Sequence, residues 1–316
     1  MTCAHAVRKK RTGKLTRTMR VEARMVKSRL VLLLFACLSG GCSPFVYLNA
    51  FSPQQKAGEE TEFAYGTLAR QRLDVYVPQT VLQAPAPVVV FFYGGAWDSG
   101  KKADYRFVGR ALAARGFVAV IPDYRVYPEV VFPGFVDDAA SAVAWTFHRV
   151  QAFGGDTSRV FLMGHSAGAH IAAMVALDAR HLEANGHTPG QLAGWIGLSG
   201  PYDFLPLKSR RLKRIFGDPA PPSTQPVEFV SPGAPPALLV TGDADTRVIP
   251  RNTYRLEARL REAGVPVRKI VYPGVGHGRT VVAFSGLGDD VPLVDDVVSF
   301  VAEISGFERV PSRASR

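Results

Sequence analysis

A serine stands at the centre of the stretch with the clearest chemical potential, Gly164-His165-Ser166-Ala167-Gly168. The apolar run 160–163 precedes this G-x-S-x-G pattern, and alanine-rich sequence follows it. The pattern predicts a buried strand that turns sharply into a helix, with Ser166 at the apex and the Ala167 N–H aimed beside it. Glycines on both sides let the strand and the helix approach closely. The alternative interpretation is an ordinary glycine-padded turn between a strand and a helix.

A serine hydroxyl is a weak nucleophile and needs a neighbouring base. Of the seven histidines, His277 is the best candidate because it lies in a glycine loop directly after the last predicted strand. Loops that follow parallel strands open on one edge of a sheet, and Ser166 lies on that edge. His165 and His170 flank the serine and are not expected to face it. The other histidines lie in the leader, within a helix or near a helix end, at positions 5, 148, 181 and 187.

An acid is needed to hold the imidazole in one tautomer and to stabilise its cation. Asp243 and Asp245 follow the strand that precedes the histidine loop, and both qualify. We predict Asp245, because it lies further out on the loop, just before the next helix. Asp243 remains the alternative.

A second glycine turn, Gly94-Gly95-Ala96-Trp97, follows the continuously apolar run 88–93. Main-chain N–H groups at such a turn can stabilise the oxyanion of an acyl-transfer reaction without reorganising. We therefore predict an oxyanion hole made by the N–H groups of Gly95, Ala96 and Ala167. The alternative is a turn that only reverses the chain.

Three residues are candidates for contact with a substrate: Gly94, Trp97 and Tyr202. The two aromatic side chains could instead pack beneath a cap. The sequence has no metal-ligand cluster and no phosphate-binding loop, so we expect neither a metal nor a cofactor.

Strand and helix patterns alternate from residue 88 onward, which is typical of βαβ units on a mostly parallel sheet. Alternation of polar and apolar residues predicts a strand at 72–77. Apolar stretches predict strands at 88–93, 117–122, 160–165, 192–198, 237–240 and 267–272. Amphipathic or alanine-rich stretches predict helices at 105–114, 137–153, 167–177, 251–263 and 293–304. The proline-rich segment 201–236 separates two strands, and we interpret it as a small cap.

The formal net charge of +11 is concentrated in the first residues. Residues 1–41 contain ten Lys or Arg and one acidic residue, a net charge of +9, which leaves +2 for residues 42–316. Basicity therefore gives no reason to expect a nucleic-acid partner. A cationic start, the short apolar run 30–38 and small residues before Cys42 are typical of an export signal.

The end of this leader is similar to the lipobox of bacterial lipoproteins, with Cys42 as the residue that would be lipidated. We expect a signal peptide over 1–41, a tether over 42–62 and a folded domain over 63–316. The expected location is the bacterial cell envelope, with a lipid anchor to a membrane. Translation could also start at Met19 or Met25. The three cysteines all lie in the leader or at its end, so the domain has no disulfide.

Several motifs together resemble the esterase branch of the α/β-hydrolase superfamily. They are the glycine turn at 94–97, the serine turn at 164–168, the segment 198–203 and the order Ser166, Asp245, His277. The nearest likeness is to hormone-sensitive-lipase-like and feruloyl-esterase-like carboxylesterases, and isoprenylcysteine methylesterases and kynurenine formamidases share much of the pattern. Tyr93 departs from it, because the family's oxyanion motif usually begins with His.

The resemblance implies an α/β-hydrolase fold: a mostly parallel eight-stranded sheet with helices on both faces and a small cap. It also implies a serine carboxylesterase that acts on small to medium esters through an acyl-enzyme. An amidase or formamidase would use the same residues. A non-catalytic binding module with the same fold is the alternative from another class.

Overall fold

The computed structural model describes residues 44–51, 57–79, 84–287 and 290–307. The predicted signal peptide and Cys42 lie outside these residues. The described residues from Leu48 onward belong to one compact unit that contains the whole sheet. No helix among the described residues combines the length and apolar character that crossing a bilayer requires.

Eight strands form one sheet. They are β1 (Ala57–Ala64), β2 (Arg72–Pro78), β3 (Ala86–Phe92), β4 (Val118–Pro122), β5 (Gly155–His165), β6 (Gly194–Leu198), β7 (Ala237–Gly242) and β8 (Val267–Tyr272). Their order across the sheet is β1-β2-β4-β3-β5-β6-β7-β8. β2 pairs antiparallel with both of its neighbours, and every pair from β4 to β8 is parallel. The mostly parallel eight-stranded sheet is therefore confirmed.

Nine helices lie before, between and after the strands of the described chain. They are α1 (Pro44–Phe51), α2 (Arg106–Ala113), α3 (Gly134–Arg149), α4 (Ala167–Leu177), α5 (Ala179–Glu183), α6 (Arg210–Phe216), α7 (Arg251–Glu262), α8 (Arg279–Val282) and α9 (Leu293–Ser305). The helices α3 and α4 pack against each other on one face, and α2 and α9 meet at the turn 283–285 on the other. Residues of β3 and β4 are fully buried, as their continuous apolar runs predict.

The first strand corrects the predicted boundary between tether and domain. β1 begins at Ala57 and pairs with β2, although residues 42–62 were expected to be a tether. Within the same segment, Asn49 in α1 donates to the Ala103 carbonyl at 3.0 Å and accepts from the Phe107 N–H at 3.0 Å. The sequence of β1 is polar, because it lies at the sheet edge, and so it lacks the apolar pattern by which the other strands were predicted.

The segment 201–236, predicted as a cap, has little regular structure. It contains α6 and two short 3-10 turns, Pro222–Thr224 and Pro226–Phe229. Arg211 in α6 donates to a carboxylate oxygen of Asp98 at 2.6 Å. This ion pair joins the segment to the loop that follows β3.

Candidate active site

Ser166 occupies the turn between the end of β5 and the start of α4, as the sequence predicts. Its φ of 57° is in the left-handed region, which strains a residue with a side chain. The flanking glycines are required by space. A Cβ on Gly168 would lie 2.0 Å from the Phe92 carbonyl oxygen, and one on Gly164 would lie 2.1 Å from the Gly168 carbonyl oxygen. The serine is thus held at the edge of the sheet by a turn that larger residues could not form.

His277 lies in the loop after β8 and joins the serine to an acid. Its Nε2 is 2.8 Å from Ser166 Oγ, and its Nδ1 is 2.8 Å from Asp245 Oδ2. The other carboxylate oxygen of Asp245 accepts the main-chain N–H groups of Arg247 and Val248, each at 2.9 Å. The Asp245 carboxylate only accepts here, so Nδ1 carries the proton and Nε2 is free to accept one from the serine hydroxyl.

The two candidate aspartates occupy different places. Asp243 is exposed, and its carboxylate accepts the Gly274 N–H at 2.6 Å. Asp243 therefore supports the main chain of the histidine loop, whereas Asp245 faces the imidazole. A Cβ on Gly242 would lie 1.9 Å from the Val275 carbonyl oxygen, so the two loops approach at van der Waals distance.

The glycine turn after β3 lies against the serine. A Cβ on Gly94 would be 3.1 Å from the Cβ of Ser166. The turn is strained, because Ala96 and Trp97 have φ values of 50° and 61°. Hydrogen bonds from the Asp98 and Ser99 N–H groups to the Gly95 carbonyl, each 3.1 Å, hold its shape.

The main-chain N–H groups of Gly95, Ala96 and Ala167 donate no hydrogen bond to any atom in the described part of the chain. They belong to the two turns that meet at Ser166. Such donors can stabilise negative charge that develops on a carbonyl oxygen attacked by the serine. The geometry is therefore suited to acyl transfer.

Tyr93 takes the place where histidine is usual, and its own contacts support the turn. Its hydroxyl donates to Asp123 Oδ1 at 2.7 Å, and the same oxygen accepts the Lys102 N–H at 2.7 Å. The Tyr124 hydroxyl donates to the Tyr93 carbonyl at 2.6 Å, and the two rings stack with centroids 4.6 Å apart. Burial raises the pKa of Tyr93 well above its ordinary value, so the hydroxyl remains a donor.

Trp97 lies in an aromatic cluster between the glycine turn and the cap. Only 5% of its surface is exposed. Its ring stacks on Phe204 at 5.7 Å and meets Phe216 edge-on at 4.8 Å, and its indole N–H donates to His170 Nδ1 at 3.3 Å. The second nitrogen of His170 lies 2.9 Å from the Thr224 carbonyl, so His170 connects α4 to the cap.

Tyr202 does not line a substrate pocket, which corrects that expectation. Its side chain is fully buried, and its ring meets Trp195 edge-on at 6.1 Å. A Cβ on Gly197 would lie 1.9 Å from the Tyr202 hydroxyl oxygen, so the ring fills the space left by a glycine in β6. The packing interpretation applies to this residue.

His165 was not expected to take part in the site, because it flanks the serine in the sequence, yet it contacts the main chain of His277. Its Nε2 is 3.1 Å from the His277 carbonyl oxygen, and the two rings are 4.9 Å apart. One signal could have indicated its importance: it is a polar residue that directly follows the apolar, buried residues 160–164 in the second half of β5. Burial lowers the pKa of His165 to about 3 and that of His170 to about 4, so both rings are neutral near pH 7.

The chain is similar in sequence to two protein families and to several known proteins. The BD-FAE family model matches residues 73–260, and the prolyl oligopeptidase family model matches residues 221–304. A probable isoprenylcysteine alpha-carbonyl methylesterase of Oryza sativa subsp. japonica is 32% identical over 258 residues, 75% of this chain and 62% of that protein. The isoprenylcysteine alpha-carbonyl methylesterase of Arabidopsis thaliana is 30% identical over 311 residues, 91% of this chain and 72% of that protein.

A solved structure supports the same fold. The apo form of Thermogutta terrifontis esterase 2 superposes with a TM-score of 0.68 at 25% sequence identity. The alignment covers 80% of this chain and 97% of that one.

Proposed function

Because the chain belongs to the BD-FAE family and has the fold of the α/β-hydrolase esterases, we propose that it is a serine carboxylesterase with Ser166, His277 and Asp245 as its triad. One observation carries the proposal: His277 lies 2.8 Å from both the serine hydroxyl and the aspartate carboxylate. Acyl transfer to a serine and then to water is the chemistry that this arrangement performs on several unrelated folds.

The first half of the reaction forms an acyl-enzyme. Ser166 Oγ attacks the ester carbonyl carbon while its proton moves to Nε2 of His277. Asp245 accepts from Nδ1 and stabilises the imidazolium that forms. The tetrahedral oxyanion is stabilised by the N–H groups of Gly95, Ala96 and Ala167. The C–O bond to the alcohol then breaks, and the alcohol leaves with the proton held by His277.

The second half regenerates the enzyme. Water attacks the acyl carbon, and Nε2 of His277 takes its proton. The same N–H groups stabilise the second oxyanion. The bond to Ser166 Oγ breaks, the serine recovers its proton from the imidazolium, and the carboxylic acid leaves. Each proton that enters or leaves passes through Nε2, the atom that lies next to the serine.

Small to medium esters are the proposed substrates. The aromatic cluster of Trp97, Phe204 and Phe216 fills the space beside the glycine turn, and Trp97 has little exposed surface. A side chain packed in this way restricts room next to the oxyanion donors. The cluster favours short acyl groups over long ones.

A panel of p-nitrophenyl esters from acetate to laurate, with matched p-nitroanilides, tests the activity and the acyl preference. We expect kcat/KM to be highest for the short esters and the anilides to react far more slowly. Ser166→Ala should lower ester hydrolysis by about 10³-fold or more without unfolding the protein. A folded Ser166→Ala variant that keeps a tenth of the activity would exclude this serine. Faster turnover of anilides than of esters would favour the amidase.

We further propose that the protein is exported and anchored through Cys42. The leader motif supports this, and several acyl chains together give firm membrane attachment, whereas one is marginal. In cells fed a clickable fatty acid, the wild-type protein should be labelled and should be released from membranes by detergent but not by salt. The Cys42→Ser variant should remain unlabelled. An unlabelled wild-type protein of mature size would show an ordinary cleaved signal peptide.

A further inference from the structure

The carbonyl oxygen of His277 accepts hydrogen bonds from two side chains on different elements. His165 Nε2 lies 3.1 Å away at the end of β5, and Thr280 Oγ1 lies 2.9 Å away in the first turn of α8. Neither contact involves the imidazole of His277. They hold its main chain.

This contact continues into a buried polar network. The hydroxyl oxygen of Ser199, which follows β6, lies 3.1 Å from Thr280 Oγ1. Its own N–H donates to the Val240 carbonyl at 2.8 Å, and its φ is 48°. Ser199 and Thr280 are fully buried, and His165 is 5% exposed. Polar groups buried to this extent keep their directions, because breaking their hydrogen bonds without access to water is costly.

The direction of the contacts follows from the carbonyl. A carbonyl oxygen only accepts, so His165 carries its proton on Nε2 and the Thr280 hydroxyl donates. His165 Nδ1 is then an unprotonated acceptor, and it has no hydrogen-bond partner in the described part of the chain. An apolar residue would avoid this unpaired atom and would match residues 160–163 of the same strand, which are fully buried. Packing alone therefore does not account for a histidine here.

The loop that carries His277 needs such support. It contains Gly274, Gly276 and Gly278, and glycine leaves the main chain many conformations. Catalysis requires the imidazole to stay aligned with both Ser166 and Asp245, and small displacements of a catalytic group reduce rates strongly. Two donors on the carbonyl restrict the main chain of His277 between two rigid elements.

We propose that His165 and Thr280 are positioning residues, which fix the main chain of His277 so that its imidazole remains aligned between Ser166 and Asp245. This rests on the proposed function, in which His277 is the base. Neither residue touches the substrate, and both act through His277. Ser199 orients the Thr280 hydroxyl.

Substitutions of similar size test the proposal. His165→Leu and Thr280→Val remove the donors, whereas His165→Gln and Thr280→Ser retain one. For a short p-nitrophenyl ester we expect kcat to fall about 10- to 100-fold in the first pair, with KM within about twofold of wild type. The second pair should recover most of the lost kcat. Circular dichroism and thermal melts establish that each variant is folded.

The same substitutions made in a variant that lacks the His277 imidazole distinguish a positioning role from a general structural one. In His277→Ala, adding Thr280→Val or His165→Leu should not reduce the residual rate further, because the residue through which they act is gone. An equal loss in both backgrounds would overturn the proposal, as would unchanged kcat in folded Thr280→Val and His165→Leu. If His277→Ala itself keeps full activity, the proposed function fails instead. Should His165→Leu not fold, the Thr280 pair decides the outcome alone.

Discussion

Replacing Asp245 with Asn tests whether this residue is the acid that sets the tautomer of His277. One carboxylate oxygen accepts the N–H groups of Arg247 and Val248 at 2.9 Å each, and the other faces His277 Nδ1 at 2.8 Å. In Asp245→Asn the amide oxygen must keep the two main-chain donors, so the NH₂ group points at Nδ1. The imidazole then accepts at Nδ1 and carries its proton on Nε2. In this tautomer it cannot take a proton from Ser166.

The expected loss follows from this change of tautomer. The volume and the main-chain hydrogen bonds are preserved, so the fold and the substrate site should persist. We expect kcat to fall about 10⁴-fold, which corresponds to about 5 kcal/mol of transition-state stabilisation. KM should change little, because the Asp245 side chain is buried behind His277.

Asp243→Asn is the matched control on the same loop. Among the described residues, the Asp243 carboxylate accepts only the Gly274 N–H, and an amide oxygen can do the same. Steady-state hydrolysis of p-nitrophenyl acetate, with thermal melts of both variants, should show the large loss in Asp245→Asn alone. Comparable activity in the two variants, or a greater loss in Asp243→Asn, would refute the assignment of the acid.

Three further outcomes concern stability. Gly168→Ala would place a Cβ 2.0 Å from a main-chain oxygen, so the free energy of unfolding measured in urea should fall by about 3 kcal/mol. The control is Gly190→Ala, whose Cβ would have its nearest atom at 3.9 Å and should change this free energy by less than about 0.5 kcal/mol. Burial lowers the pKa of His170 to about 4, because the folded protein favours the neutral imidazole. This preference contributes to the free energy of unfolding in full above pH 6.5, and the contribution is lost as the pH falls toward 4. In His170→Gln the acid-side slope of unfolding free energy against pH should therefore decrease by about 1.4 kcal/mol per pH unit; an unchanged slope would contradict the burial argument. Tyr93→Phe removes the hydroxyl bonded to Asp123 at 2.7 Å and should cost about 1–3 kcal/mol, measured by urea unfolding; a neutral result would show that the stacked rings alone support the turn.

The local sequence pattern was sufficient to predict most of the strands and the longer helices. Apolar runs identified the buried strands, and the glycines around Ser166 identified the turn, because a Cβ at Gly164 or Gly168 would overlap the main chain. The candidate nucleophile, base and oxyanion donors were found in the same way. Each follows a predicted parallel strand, and the carboxyl ends of such strands meet at one edge of the sheet.

Other features depend on which surfaces meet in three dimensions. β1 is a polar edge strand, and its place is decided by pairing with β2 rather than by its own pattern. Asp243 and Asp245 lie on one loop with the same chemistry, and only the path of that loop turns one towards His277 and the other towards Gly274.

The roles of Tyr202 and His165 were likewise decided by tertiary contacts. Tyr202 is buried because β6 has a glycine where its ring packs. His165 reaches the His277 carbonyl because the end of β5 meets the loop after β8, although the two residues are 112 positions apart in the sequence. The sequence by itself determined which residue types could do chemistry and which strands carry them. The tertiary structure decided which atoms face each other, because side-chain direction depends on long-range packing that no local periodicity encodes.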